Sequence, residues 1–345
     1  MEKIVETIPY EKLEKYDYIR DYFGDKKVCM FDIETTGLSP DYSFTYIIGI
    51  NIFDGNTWQI IQLFNDDGTS EPEMIRVFQD FIKDYDVLVE FNGDRFDIPY
   101  IKKRMGHIQR KFGISLKDNF DEVVSFDLMK CIRPLKFALG LPNIKQKTIE
   151  KYFGINRLDM YNGGQLIEVY LDYLSTKSEK NRKLVLRHNR DDMEGMILLG
   201  GILSLAMLNS GKFKVSGMNV KEKGSGLFLN IDALLDREML HDIFTSAYGC
   251  SLNVKGRNVS LEVPIAIGSL KYFFGPKKND GFEENEGYFA YVLPGFTGNA
   301  ALYRERAGSK DAYVMLEDSF FKNEDLIHEY VSHMISGVMN FNGKR

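Results

Sequence analysis

The sequence predicts an α/β fold, with a mixed sheet flanked by helices and a C-terminal α+β extension. Three observations predict it. Apolar runs of strand length open the chain, helically spaced apolar residues then alternate with further strands, and the texture changes after about Lys212.

Lys27–Ile33 (KVCMFDI) is a short apolar run of strand formers, closed by the turn residues Glu34-Thr35-Thr36-Gly37. Tyr46–Phe53 and Thr57–Phe64 follow, joined by the hairpin signal Asp54-Gly55-Asn56, so three antiparallel strands in a meander are expected. Pro72–Tyr85 carries Met74, Ile75, Phe78, Phe81 and Ile82 at helical spacing, with Glu71 and Glu73 at the end where the helix dipole favours acids. Val87–Phe91 is a buried strand, and Pro99–Arg104 starts a helix in which proline suits the first turn. A short strand is expected near Val123–Phe126. Helices are expected over Gln146–Phe153 and Gln165–Leu174, and one or two more over Lys180–Leu208.

Past Lys212, Gly224-Ser225-Gly226 breaks the chain. Strand-like runs fall at Leu227–Ile231, Ser251–Val254, Ser260–Ile267 and Ala312–Leu316, with a turn at Lys255–Asn258. Glu324–Met339 places Leu326, Ile327, Tyr330, Val331, Met334 and Ile335 on one stripe and predicts a final amphipathic helix. The domains expected are therefore 1–212 and 213–345.

The 345 residues include 44 Lys plus Arg and 50 Asp plus Glu, a formal charge of −6. With 44% hydrophobic and 27% charged residues, the composition is that of a globular chain, not a disordered one. The acidity excludes a protein that holds nucleic acid by bulk positive charge, but leaves room for a local basic channel or for carboxylates that bind metal. Cys29, Cys131 and Cys250 form no CxxC pair, so a zinc knuckle is not expected and a reducing cytoplasm is. The first residues mix acids and bases without an apolar run, which does not suit a signal peptide. No stretch approaches the ~20 apolar residues of a membrane helix; Met196–Leu208 is expected to be a buried helix.

Three segments carry chemistry. Asp32-Ile33-Glu34 ends a buried strand, and alternation turns both carboxylates to one face. Asn92-Gly93-Asp94-Arg95-Phe96-Asp97 links a strand to a helix and sets Asp97 near the helix start. His188-Asn189-Arg190-Asp191-Asp192 lies in a helix, where His188 and Asp192, four apart, share a face; this spacing favours Asp192 over Asp191 as the partner. Gathered carboxylates repel and raise each other's pKa values, a conflict that a hard divalent cation removes. Oxygen ligation suits Mg²⁺ or Mn²⁺ rather than Zn²⁺. Two such ions about 3.5–4 Å apart can clamp the attacking and leaving oxygens of a phosphodiester, and a nearby histidine can take a proton from the attacking water. Singly, each residue has an ordinary alternative: a solvated strand end for Asp32 and Glu34, a helix cap for Asp97, a packed histidine for His188.

In this order and at these separations, DIETTG, NGDRFD and HNRDD resemble the three motifs of DEDD-type 3′→5′ exonucleases of the RNase H-like fold, and in particular the bacterial YprB-type family. NGDRFDIPYIKKR also resembles the proofreading exonuclease of family B DNA polymerases. Ser125-Phe126-Asp127-Leu128 and Lys147-Thr148-Ile149-Glu150 are similar to further family segments. The resemblance covers about 27–208, with only faint likeness around Leu270–Phe274. It implies an RNase H-like mixed sheet of three antiparallel and then parallel strands. It also implies that Asp32, Glu34, Asp97 and Asp192 are ligands for two ions, with His188 as general base. His188 stands at the spacing that the family's tyrosine-type members use, since position 187 is Arg. A neutral imidazole can still serve as base, which predicts activity rising with pH across neutrality.

The resemblance further implies that Thr35, Thr36, Gly37 and Leu38 cradle a terminal nucleotide and that Asn92 positions the substrate strand. Asp127 is expected to cap a helix or support the site, and Glu150 to have a surface or packing role. Twelve cations between Lys102 and Lys151 could track a phosphate backbone, although an ordinary solvated surface is the plainer account of any one. The function expected is a metal-dependent exonuclease acting on single-stranded DNA or RNA 3′ ends and releasing nucleoside 5′-monophosphates. The rivals are a non-catalytic nucleic-acid-binding or scaffold module and an endonuclease on the same metal site.

Overall fold

A computed structural model describes residues 1–155, 163–274 and 281–343. The chain divides into two compact units, Met1–Cys131 with Ile144–Leu203, and Ile132–Asn143 with Ser204–Arg345.

In the first unit, β1 (Glu2–Pro9) and a short helix α1 (Ile19–Phe23) precede the expected meander of β2 (Val28–Thr35), β3 (Thr45–Phe53) and β4 (Thr57–Phe64). Helix α2 (Glu71–Ile82), strand β5 (Val87–Glu90), helix α3 (Asp97–Phe112), strand β6 (Val124–Asp127) and helices α4 (Leu128–Ile132), α5 (Gln146–Tyr152), α6 (Gly163–Thr176) and α7 (Glu179–Leu198) follow. The sheet order is β1-β4-β3-β2-β5-β6. The first four strands pair antiparallel, whereas β2–β5 and β5–β6 are parallel. This is the mixed sheet the sequence predicts.

Strand β1 was not among the expected elements. It is an edge strand, paired along its whole length with β4 and mostly exposed. Backbone pairing specifies it, and an edge strand needs no apolar run to form.

Alternation along the central strands gives the sheet two apolar faces. Cys29, Phe31, Ile33, Ile48, Ile50, Ile61 and Leu63 pack with Met74, Phe78, Tyr100, Ile101 and Met105 of α2 and α3. On the other face Ile47 and Phe64 pack with Leu166, Tyr170, Val185 and Leu186 of α6 and α7. The C-terminal ends of β2, β5 and β6 point the same way because these strands are parallel.

Helix α8 (Gly201–Asn209) leads into the second unit, an antiparallel sheet of β7 (Lys214–Lys223), β8 (Gly226–Leu234), β9 (Ile243–Ala247), β10 (Cys250–Lys255), β11 (Asn258–Phe273), β12 (Phe282–Val292), β13 (Tyr303–Arg304) and β14 (Ala312–Met315). The long β11 pairs with β8, β10, β12 and β13. Helices α9 (Asp318–Phe321) and α10 (Glu324–Met339) close the chain. The stripe predicted on α10 is buried at Ile327, Tyr330, Val331, Met334 and Ile335, and Asn323 caps its start by accepting the amide of Leu326 at 3.0 Å. After Phe282, strand β12 runs through Glu283, Glu284 and Asn285, poor strand formers. Lys271 of β11 stands opposite Glu284, a cross-strand charge pair that offsets this composition. No helix among the described residues is long and apolar enough to cross a membrane.

Candidate active site

Asp32 and Glu34 sit at the C-terminal end of β2, on the face that α6 and α7 cover. Helix α7 brings His188 and Asp192 to the same place. His188 Nε2 is 3.2 Å from Asp192 Oδ2 and 3.7 Å from Glu34 Oε1. Glu34, His188 and Asp192 each offer one donor atom within 4.8 Å of the others'. The neighbouring Asp191 turns elsewhere, to Arg187 at 3.7 Å and Arg190 at 3.4 Å.

Helix α7 is keyed to the sheet by three residues absent from the sequence-based site. Gly49 of β3 stands opposite Asp32, and a Cβ there would lie 2.7 Å from Asn189 Oδ1 and from Met193 Cγ. Its bare backbone thus admits the helix directly against the strand. Asn51 Nδ2 donates to Met193 O at 2.6 Å, and Gln62 Nε2 donates to Leu186 O at 2.8 Å and to Asn189 Oδ1 at 3.0 Å. Asn189 Nδ2 in turn reaches Asp32 Oδ2 at 3.5 Å. The signal was present as an isolated glycine within a strand, which marks close backbone approach.

Asp97, at the start of α3, is buried, and its Oδ1 accepts the Ile33 amide at 3.2 Å. Burial pushes its carboxyl up to about 7, and the charge of Asp127 adds to the rise. A backbone bond thus fixes Asp97 to the strand that carries Asp32 and Glu34.

The turn after β2 is held from several sides. Thr35 Oγ1 donates to Gly37 O at 2.9 Å, and the Thr36 amide to Phe44 O at 2.9 Å. Ser43 Oγ donates to Gly37 O at 3.0 Å, and Leu38 is 86% exposed at the tip. Asn92 follows β5 with φ 68°, a left-handed conformation that asparagine tolerates, and its amide donates to Asp127 Oδ1 at 2.9 Å.

Asp127 also accepts the Met129 amide at 2.8 Å, so it caps α4 and ties β6 to the Asn92 turn, as expected. Glu150 is buried and accepts from Gln146 Nε2 at 3.0 Å, which removes the surface alternative for it. A second acidic group, Glu90, Asp94 and Asp127, lies at the ends of β5 and β6. Part of its charge is met by neighbouring donors. Lys130 pairs with Asp94, Ser125 Oγ donates to Asp94 at 2.6 Å, and the Gly93 amide donates to Glu90. Burial, then the charge of Asp127, pushes the Glu90 carboxyl up to about 8.

The expected run of free cations is shorter than the sequence suggests. Lys102 bridges to Asp118 and Asp121, Arg104 to Glu71, Lys117 to Glu122 and Lys130 to Asp94. Apart from Glu122, five residues from Lys117, these acids are distant in sequence, so the pairing is invisible until the chain folds.

The donor set fits a hard divalent cation. Carboxylates predominate, one imidazole adjoins them, and the buried Asp97 lacks a cationic side-chain partner among the contacts that shift it.

A mixed sheet carrying carboxylates on its central strand, met by a helix with a His and an Asp four apart, defines an RNase H-like α/β protein. The chain belongs to the RNase_H superfamily: the RNase_H_2 family matches residues 29–204. A DNA polymerase of Thermococcus sp. (strain 9oN-7) is 38% identical over 100 residues, 26% of this chain and 13% of the polymerase. That of Desulfurococcus sp. (strain Tok) is 37% identical over 167 residues, 40% of this chain and 21% of the polymerase. The chain thus spans about a fifth or less of these relatives. The solved family B DNA polymerase of Pyrobaculum calidifontis covers 91% of this chain and 46% of its own, with 14% identity and a TM-score of 0.43.

Proposed function

We propose that the protein is a metal-dependent 3′→5′ exonuclease that hydrolyses single-stranded DNA or RNA ends and releases nucleoside 5′-monophosphates. The observation that carries this reading is the convergence of Glu34, His188 and Asp192, from β2 and α7, into one group of donor atoms beside Asp32. Membership of the RNase_H superfamily and the partial likeness to DNA polymerases support it.

Asp32, Glu34, Asp97 and Asp192 would hold two Mg²⁺ or Mn²⁺ ions, which supply Lewis acidity and a more acidic water when bound. The protein's own groups do the rest. His188 takes the proton of the attacking water, for which its Nε2 exchanges the 3.2 Å contact with Asp192 Oδ2 for the water once Asp192 holds a cation. Asn189 fixes Asp32, and the Ile33 amide fixes Asp97. The turn Thr35–Leu38 receives the terminal nucleotide, its small residues allowing close approach of the backbone, and Asn92 positions the strand behind it.

Oligonucleotides labelled at the 3′ or 5′ end, incubated with Mg²⁺ or Mn²⁺, test the reading. A ladder that shortens from the 3′ end is expected. Binding without cleavage would replace the proposal with a scaffold module, and internal cuts would replace it with an endonuclease.

A further inference from the structure

The pairing of β2 with β3 is broken at one point. Glu34 stands opposite Ile47 and Thr35 opposite Thr45, so Tyr46 is an extra residue on β3. Such a bulge re-aims side chains. Its effect shows in the packing: Tyr46 and Ile47, consecutive in sequence, both bury in the cluster with Phe64 and Tyr170, while Ile48 returns to the opposite face. Without the extra residue, the position before Ile47 would point away from Glu34. With it, the Tyr46 ring comes to the face that carries Glu34.

Its surroundings hold it rigidly. Tyr46 is 1% exposed, and its ring stacks on Tyr170 at 4.2 Å between centroids and 15° between planes. Tyr170 is itself fixed, its hydroxyl donating to Asn65 O at 2.7 Å. Tyr46 adjoins Ile47, the residue opposite Glu34, and its hydroxyl lies within interaction reach of the Glu34 carboxylate. An un-ionised phenol, the ordinary state of tyrosine near neutral pH, donates to a carboxylate that it faces. The Glu34 carboxylate, 3.7 Å from His188 Nε2 by its Oε1, is thus set between a fixed donor and the α7 histidine.

We propose that Tyr46 is a positioning residue for Glu34: its hydroxyl, placed by the bulge and fixed by the Tyr170 stack, orients the carboxylate toward the cation site shared with His188 and Asp192. This rests on reading Glu34 as a metal ligand. Hydrogen-bond partners of ligating carboxylates commonly tune metal affinity by about 10–100-fold.

The test is Mn²⁺ binding to the full chain by calorimetry, without nucleic acid, alongside melting in EDTA. Tyr46→Phe keeps the ring and removes only the hydroxyl. We expect it to weaken Mn²⁺ binding about tenfold and to lower the rate at limiting Mn²⁺, with the rate recovering at high Mn²⁺. Tyr170→Phe is the packing control: it loses the bond to Asn65 and should lower the melting temperature while leaving Mn²⁺ affinity as in the wild type. Equal weakening by both variants, or no weakening by Tyr46→Phe, overturns the proposal. Glu34→Gln separates the two levels of argument. If it weakens Mn²⁺ binding and Tyr46→Phe does not, only the role of Tyr46 fails; if Glu34→Gln also binds normally, the reading of Glu34 as a ligand fails with it.

Discussion

Asp97 Oδ1 accepts the Ile33 amide at 3.2 Å, which ties the first turn of α3 to β2 between Asp32 and Glu34. The bond fixes Asp97 to the backbone of the strand that carries Asp32 and Glu34, independent of any side-chain rotamer on β2.

That placement has a pH consequence. With its carboxyl pushed up to about 7, Asp97 holds a proton through much of the neutral range in the metal-free protein. A cation must displace that proton. Mn²⁺ affinity should therefore rise with pH, by up to about tenfold per unit below pH 7, and level off above it. Calorimetry in buffers of different ionisation enthalpy should detect the released proton. Affinity independent of pH between 5.5 and 8 would contradict the role given to Asp97.

His188→Ala should reduce the cleavage rate by about 10²–10⁴-fold if the ring acts as general base. Asp192→Asn should also reduce cleavage sharply, yet leave melting in EDTA unchanged or slightly raised, because one like charge is removed from the group. Rates from single-turnover digestion of a labelled oligonucleotide and melting curves of the same preparations decide both. An unchanged rate in His188→Ala would strip the ring of that role.

At Gly49 the added methyl of Ala has no room, since Asn189 Oδ1 and Met193 Cγ would lie 2.7 Å from it. The Asn189 and Met193 side chains would have to shift, and we expect helix α7 to shift with them, at a cost of about 1–3 kcal/mol. His188 and Asp192 would move with it, and a displacement near 1 Å can cost on the order of 10²-fold in rate. We expect Gly49→Ala to lower both the denaturant midpoint and the turnover. Normal turnover with normal stability would show that the helix does not need this seat.

Glu90 gives a stability signature of definite sign. Its carboxyl lies at about 8 in the folded chain against an ordinary 4.5. The folded state therefore binds this proton more tightly than the unfolded state, and the contribution to stability falls as pH climbs from about 4.5 to about 8. Glu90→Gln, which still accepts the Gly93 amide, should remove that slope. The variant should match the wild type near pH 4 and exceed it at pH 9 by on the order of a few kcal/mol. Urea titrations across that range measure it, and parallel pH curves for the two proteins would show that Glu90 is ionised throughout.

The parts of the site that follow local periodicity were legible in the sequence. Asp32 and Glu34 share a face because strands alternate, and His188 and Asp192 share one because four residues complete about one helical turn. The meander, α2 and α10 were legible for the same reason. What pairing across the chain decides was not. Strand β1 needs β4 to exist, and Lys102 and Lys130 are neutralised by acids brought near only by folding. The side of the sheet that Tyr46 faces depends on one slipped register between β2 and β3. Asn51 and Gln62 look like interruptions of apolar strands until α7 lies across them.

The turn from Thr36 to Phe44 is fastened along its length. Phe44 N donates to Thr36 Oγ1 at 3.0 Å, Ser43 Oγ meets Tyr100 Oη at 2.6 Å, Arg104 donates to Pro40 O at 2.8 Å, and His107 Nε2 lies 2.6 Å from Asp41 Oδ1. A segment so fastened has already lost its conformational entropy before any ligand arrives. It is a fixed segment beside Asp32 and Glu34, and under the proposed exonuclease reading a nucleotide end that docked against Leu38 would bear no cost of ordering it. On that reading, successive ends would meet a turn that needs no closing step of its own between them.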